Sequence, residues 1–249
     1  MKIAICIKQV PDSWAEKKMA GGVLDRAGVD AVLNDLDEYA VEEALRIVEA
    51  NSPTKEAGEG SGHSITLISM GPERATEAIR KALSMGADDA ILISDPVLAG
   101  SDALATSLVL AEVIKKGNYD LVLCGTESTD ARMSVIPAMI SQRLGWAQLT
   151  FAGKVKADPA SSTVEIERVT EFGNQVMSAK FPALLSVIEK INEPRYPSFK
   201  GIMAAKKKPI TSAVKDALPR PPRGAGVKLT DEGNGGEKLV EFLVEKRLA

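Results

Sequence analysis

The residues best suited to chemistry stand in the run Gly125-Thr126-Glu127-Ser128-Thr129-Asp130, followed by Arg132 and Ser134. Small and hydroxylated residues after an apolar strand, leading into a helix start, make a loop that attracts phosphate. Free backbone amides and the helix dipole supply the attraction. Ser134 adds a hydroxyl and Arg132 a positive charge. Many α/β loops look like this, so the loop alone does not select a ligand. Two stronger nucleotide signatures are missing. No G-x-x-x-x-G-K-[ST] is present, and no G-x-G-x-x-G follows the first strand, which argues against a P-loop or a dehydrogenase-type dinucleotide fold.

The other reactive side chains are scattered. Cys6 and Cys124 end two strands expected to be neighbours. A redox pair is conceivable there, but free cysteine most often behaves as a small buried hydrophobe. His63 is the only histidine and sits in a Gly/Ser loop, where solvation is expected; a lone histidine does not build a metal site. Asp35, Asp37, Glu38, Glu42 and Glu43 read as charge placed at a helix start, where the macrodipole favours it. No nucleophile, histidine and acid stand in a triad-like pattern. The chain is expected to hold no metal and to have no catalytic constellation of its own.

The elements that must position these residues follow a βα rhythm. Ile3–Ile7 is a short apolar run, the mark of a strand buried on both faces of a parallel sheet. Asn34 is a good N-cap for a helix that stops before Pro53. Asn51–Gly62 reads as a surface loop and Ile65–Ile68 as the second strand. Glu73–Met85 is the second helix, with Gly86 as a left-handed cap. Ala90–Ile93 is the third strand, Ser101 caps a helix to about Lys116, and Leu121–Cys124 is the fourth strand. Pro137 marks the first turn of a fourth helix. Thr163–Val169 and Gln175–Lys180 form a hairpin around Glu171–Asn174, and Ala183–Val187 adds a strand. The expected fold is α/β: a doubly wound, mostly parallel, Rossmann-like sheet with an added hairpin and an extended C-terminal arm. Domains are expected at 1–190 and 191–249. In such sheets ligands bind where the strand order reverses. If the first and fourth strands flank that point, the loops Cys6–Trp14 and Gly125–Ser134 line the site.

Composition narrows the function classes. At 249 residues the chain can bury a full core, and with 45% hydrophobic but only 4% aromatic residues that core is aliphatic. A net charge of −3 argues against nucleic-acid binding. No apolar run approaches the ~20 residues a bilayer span needs. Residues 1–10 lack a signal-peptide layout, and the two cysteines suit a reducing compartment, so a cytoplasmic location is expected.

One stretch stands apart: Lys190–Lys208, KINEPRYPSFKGIMAAKKK. It has neither helical nor strand periodicity. Pro194 and Pro197 stiffen an extended arm. Tyr196, Phe199 and Met203 give it apolar tips, and Lys206–Lys208 are expected to stay out of any core. The reading is an arm that touches another protein, or a linker whose aromatics fold back. Beyond it, Leu218–Gly226 reads as a linker and Gly236–Leu248 as a short helix with an apolar stripe at Leu239, Phe242 and Leu243.

Asn192-Glu193-Pro194-Arg195-Tyr196, then Ile202-Met203 and the lysines, resembles the β subunit of electron transfer flavoprotein. Four further pieces fall in the same order along the chain. These are Asn34-Asp35-Leu36-Asp37-Glu38 running into Ala40–Ala44, Gly71-Pro72 with Ala82–Asp88, the GTESTD run at Gly125–Asp130, and Phe181-Pro182-Ala183. The resemblance implies a non-enzymatic electron carrier. It would pair with an α subunit holding most of the FAD. It would pass electrons from flavin dehydrogenases, such as the acyl-CoA dehydrogenases of fatty acid oxidation, to a membrane quinone oxidoreductase. It also implies one structural AMP, at Cys6, Asn34, Asp35, Leu36, Asp37, Met70 and the loop Gly125–Ile136. Ser13, Trp14 and Leu36 would approach the flavin. Pro194, Arg195, Tyr196, Phe199 and Met203 would meet the dehydrogenase, with Phe199 entering its pocket.

The chain departs from that family in two places. Gly, Asp or Asn, Thr and Gln commonly follow the Asp, whereas here Asp130 is followed by Ala131-Arg132-Met133-Ser134-Val135, so Arg132 is expected to replace lost donors. A Glu commonly follows the Arg matched by Arg168, and here Val169 stands there with Phe172 nearby, so any hinge contact of that Glu is lost. Two alternatives stay open: a bifurcating relative carrying FAD in this subunit, or a stand-alone adenine-nucleotide-binding protein of the universal-stress type.

Overall fold

The computed structural model describes residues 1–53, 57, 61–213 and 233–245. The first strand, β1 (Lys2–Cys6), is followed by two small antiparallel pairs, β2 (Gln9–Pro11) with β5 (Ala31–Leu33) and β3 (Met19–Ala20) with β4 (Val23–Leu24). Alternation then takes over: α1 (Asp35–Asn51), β6 (Ser64–Met70), α2 (Thr76–Met85), β7 (Asp89–Ile93), α3 (Ala103–Gly117), β8 (Leu121–Gly125) and α4 (Ile136–Leu144). The chain goes on through β9 (Ala147–Asp158), β10 (Thr163–Thr170), β11 (Gly173–Lys180), β12 (Ala183–Val187), α5 (Phe199–Ala205) and β13 (Ile210–Ser212). The last helix is α6 (Gly235–Glu245).

The nine strands of the main sheet lie in the order β11-β10-β9-β12-β8-β1-β6-β7-β13. Pairs from β12 through β13 are parallel, and β9-β10-β11 form an antiparallel wing. Period-two alternation sends side chains to opposite faces. Ile3 and Ile5 of β1 pack with Leu45 and Leu83 of α1 and α2. Ala4 faces the other way, with Leu110 and Ile114 of α3 and Ile140 of α4. The fold is therefore α/β and doubly wound. The two covered faces explain why β8 and β12 are buried along their whole length.

Several elements differ from the sequence reading. α3 is capped by Asp102, whose carboxylate accepts from the Ala105 amide, while Ser101 donates to the Leu98 carbonyl. A carboxylate at the N-cap outcompetes a hydroxyl one position earlier. Gly86 does take a positive φ of 146°, but with ψ −11° it is not a left-handed helical cap. His63 is half-buried rather than solvated, lying 3.0 Å from the Met1 amino group and 3.2 Å from the Asn51 carbonyl oxygen. The stretch expected to be extended throughout becomes helical at α5, where Ser198 caps Gly201 and Ala205 is buried against α2. Nor do the lysines all stay outside: Lys208 is half-buried, its ammonium donating to the carbonyls of Leu83 and Ala87. β13 then extends the sheet on β7.

By contacts the chain divides into Met1–Ala217 and Leu218–Ala249. Residues 191–213 fall in the first unit, where α5 packs on α2 and β13 pairs with β7. In the second unit only 233–245 are described. There α6 buries no side chain, with Leu239, Val240 and Val244 about half exposed or more. The predicted linker Leu218–Gly226, and the Leu248 end of the tail helix, lie outside the described residues.

Candidate functional site

β1 and β8 are adjacent and parallel, with Cys6 opposite Cys124. From β1 the chain winds outward through β6 and β7, then returns to β8 on the other side. The strand order therefore reverses between β1 and β8, and the loops after them meet at the carboxyl end of the sheet.

The start of α1 closes that meeting point. Asn34 does not spend its side chain on capping. It is buried and bridges to the loop after β8, donating to the Glu127 carbonyl at 2.9 Å and accepting from the Thr129 amide at 3.0 Å. Asp37 is buried and accepts from the Lys8 amide at 2.8 Å. Burial pushes the Asp37 carboxyl up to about 7, against bonds from Asn34, Lys8 and Gly125 that favour its charged form. Gly125 is required here for space. A Cβ on it would stand 2.6 Å from Asp37 Oδ1 and 2.8 Å from the Leu36 carbonyl. Asp35, the first residue of α1, is exposed and Leu36 half-buried. Met70 ends β6 and is also half-buried.

Asp130 anchors the far side. Its carboxylate is almost fully covered and receives Lys8 at 2.7 Å and Arg26 at 2.8 Å. Burial alone would raise its pKa, but Lys8, Ser128 and Arg26 hold it below the usual carboxylate range. Lys8 and Arg26 are functional candidates that sequence reasoning missed. Lys8 lies just past β1, in a loop already singled out; Arg26 sits in an irregular stretch with no pattern to mark it. Two cations thus converge on the one Asp130 carboxylate at the mouth of the site.

The altered loop takes a tight course. Arg132 and Ser134 adopt positive φ values of 49° and 54°. Arg132 is exposed and its amide donates to the Ser128 carbonyl; the Ser134 hydroxyl donates to the Glu127 carboxylate at 2.8 Å. Thr126 donates to the Val187 carbonyl at 2.7 Å. Among the described residues, the amides of Met133, Ser134 and Val135 meet no protein acceptor, and they lead into α4 with Pro137 in its first turn. Trp14 is 95% exposed, and Ser13 is exposed beside it.

The arm is a second candidate. Asn192 donates to the Tyr39 carbonyl and to Glu43, both at 3.0 Å. Arg195 grips two glutamates of α1: Nε lies 2.7 Å from Glu42 and Nη1 2.6 Å from Glu49, with two further Nη2 contacts at 3.1 and 3.0 Å. Pro194 sits between these anchors. Tyr196, 96% exposed, and Phe199, 80% exposed, follow at once, and Ile202 and Met203 are each nearly half exposed. On the antiparallel wing, Phe172 is almost fully exposed, and Arg168 donates to the Thr150 carbonyl.

Among the described residues no group of three or more His, Cys, Asp or Glu is placed to hold a metal, and no helix is long and apolar enough to cross a membrane. A family model described as the electron transfer flavoprotein domain matches residues 21–218. A protein of Mycobacterium bovis named electron transfer flavoprotein subunit beta is 45% identical, covering 99% of this chain and 98% of its own length. One of the same name from Mycobacterium leprae is also 45% identical over the same shares. A Megasphaera elsdenii protein of that name is 34% identical over 100% of this chain and 98% of its own length.

Proposed function

Because this chain belongs to the electron transfer flavoprotein family as a β subunit, we propose that it forms a heterodimer with an α subunit that holds most of the FAD. The pair takes electrons from flavin dehydrogenases, acyl-CoA dehydrogenases among them, and delivers them to a membrane quinone oxidoreductase, and this chain works in the cytoplasm. The FAD, when bound, accepts and releases the electrons. This chain contributes a rigid base, a structural AMP site and the docking arm.

The residues present fit AMP. A side chain at Gly125 would fill the space against Leu36 and Asp37. The unpaired amides of Met133, Ser134 and Val135 at the start of α4 suit a phosphate, and Lys8 and Arg26 bring two cations to the mouth of the site. Arg132 is not needed as a substitute donor in this reading, since Lys8 supplies the positive charge. Cys6, Asn34, Asp35 and Met70 frame the same end of the sheet, with Ser13, Trp14 and Leu36 on the side assigned to the flavin.

The observation that carries the docking reading is the exposure of Tyr196 and Phe199 on a segment tied down on both sides. Phe199→Ala is expected to slow FAD reduction by an acyl-CoA dehydrogenase that reduces the unmodified heterodimer, by about tenfold, with FAD content unchanged. Equal rates would remove the docking role.

A further inference from the structure

Large apolar side chains in water are a burden unless a partner covers them, yet here the backbone beneath them is fastened with unusual care. Upstream, the Arg195 guanidinium engages both carboxylate oxygens of Glu42 and both of Glu49, and the Arg195 amide adds a bond to Glu42 at 3.1 Å. Glu42 is buried and is also held by Arg46 at 3.0 Å. Downstream, Arg80 donates to the carbonyls of Ala205 and Lys208 at 2.5 and 2.7 Å, and Lys208 donates to Leu83 and Ala87. Gly201 lets α5 lie directly on the end of α2, where a Cβ would stand 2.5 Å from the Ser84 carbonyl oxygen. Everything between these two grips that is large and apolar, Tyr196, Phe199, Ile202 and Met203, points at least in part to solvent.

A fork of this kind holds geometry rather than mere charge: Arg presents fixed, paired donors that Lys cannot reproduce. Fixing a segment before a partner arrives removes the ordering penalty from the binding step. We propose that Arg195 is a positioning residue, not a partner contact: clamped to Glu42 and Glu49, it holds the 196–204 segment in its docking conformation. The inference rests on the docking reading above. It assigns the pre-ordering of the arm to α1, the same helix whose start closes the nucleotide site.

The test is a double-mutant cycle between Arg195 and Phe199 in the heterodimer with its α subunit. The readout is the KM and kcat of the same acyl-CoA dehydrogenase with the heterodimer as electron acceptor. Arg195→Ala is expected to raise KM about tenfold with kcat within about twofold, because encounter suffers and the chemistry does not. In a Phe199→Ala background the same change is expected to add less than about twofold, since the clamp acts through the tip. Arg195→Lys and Glu49→Gln, which loosen the fork while leaving Glu42 a cationic neighbour, are expected to give smaller rises in KM of about threefold; they carry the test if Arg195→Ala does not fold. Amide exchange over 196–204 is expected to quicken in each variant. Additive effects of Arg195→Ala and Phe199→Ala would make Arg195 a direct contact and overturn the inference. So would an unchanged KM in all clamp variants while Phe199→Ala alone raises it. If Phe199→Ala itself leaves KM unchanged, the docking reading fails and this inference falls with it.

Discussion

The carboxyl end of the sheet and the arm at 192–205 are built on opposite plans. At the first, polar groups turn inward: Asn34, Asp37 and Asp130 are covered, and they hold backbone and cations in a fixed cradle. At the second, charged groups also face the body, but apolar groups turn outward on top of them. One region uses backbone amides and tightly spaced glycine, so its function depends on shape and tolerates little volume. The other carries exposed tips, proposed above to dock a dehydrogenase, that contribute almost nothing to folding. On the docking reading, stability and recognition are separable by substitution, with Gly125 at one extreme and Phe199 at the other.

The largest effect is expected at Gly125. Gly125→Val drives branched carbons into Asp37 and Leu36 and should destabilise the fold by about 3 kcal/mol, with loss of the AMP proposed to bind there; urea midpoints and nucleotide analysis read both. Next comes Arg195→Ala, which strips a buried carboxylate of its main partner. Broken buried pairs lose ~3–5 kcal/mol, but Arg195 is about one-third exposed, so roughly 2 kcal/mol is expected from chemical denaturation.

The two regions also separate by pH. Burial raises Asp37 to about 7 in the folded chain, so between about pH 4 and 7 the native state binds a proton that the unfolded chain has released. Stability from this group therefore falls as pH rises through that window, by at most about 1.4 kcal/mol per pH unit, and Asp37→Asn should flatten that slope. Burial would lift Glu42 as well, but Arg195 and Arg46 hold it below its ordinary value. Its contribution is present above the unfolded value and is lost as pH falls, so Glu42→Gln should flatten the acid limb instead. Matching slopes in the two variants would erase the distinction. The smallest stability effect is expected for Phe199→Ala, within about 0.5 kcal/mol, although the docking role proposed for it predicts a large effect on reduction by the dehydrogenase.

Much of this was legible in the sequence, and the limits have physical reasons. Apolar β-branched runs and helical stripes announced the four βα units, whereas the reversal between β1 and β8 is only a condition in the sequence and is supplied by the strand order of the sheet. β9 carries no strand pattern in its sequence, because Gly153, Lys154 and Lys156 interrupt the apolar residues; its strand character comes from pairing with β10 and β12. α5 spans only seven residues, too short for periodicity to register, and owes its helix to packing on α2. β13 follows Pro209 and three lysines, a local sequence that argues against a strand. At the site, the Gly125–Asp130 loop was visible, but the pairing of Asp130 with Lys8 and Arg26 joins residues more than 100 positions apart. Arg195 reads as one more charge on an exposed arm; only the fold shows that Glu42 and Glu49 have already claimed it.

We propose above all that this chain is half of a flavin-bearing pair and keeps a structural adenine nucleotide of its own. The deciding experiment co-expresses it with a candidate α subunit, purifies the complex, and quantifies released nucleotides by chromatography. One FAD and one AMP per heterodimer are expected, with the AMP lost selectively in Gly125→Val. A chain that purifies alone without flavin, or a complex with two FAD and no AMP, would rule out this pairing of roles.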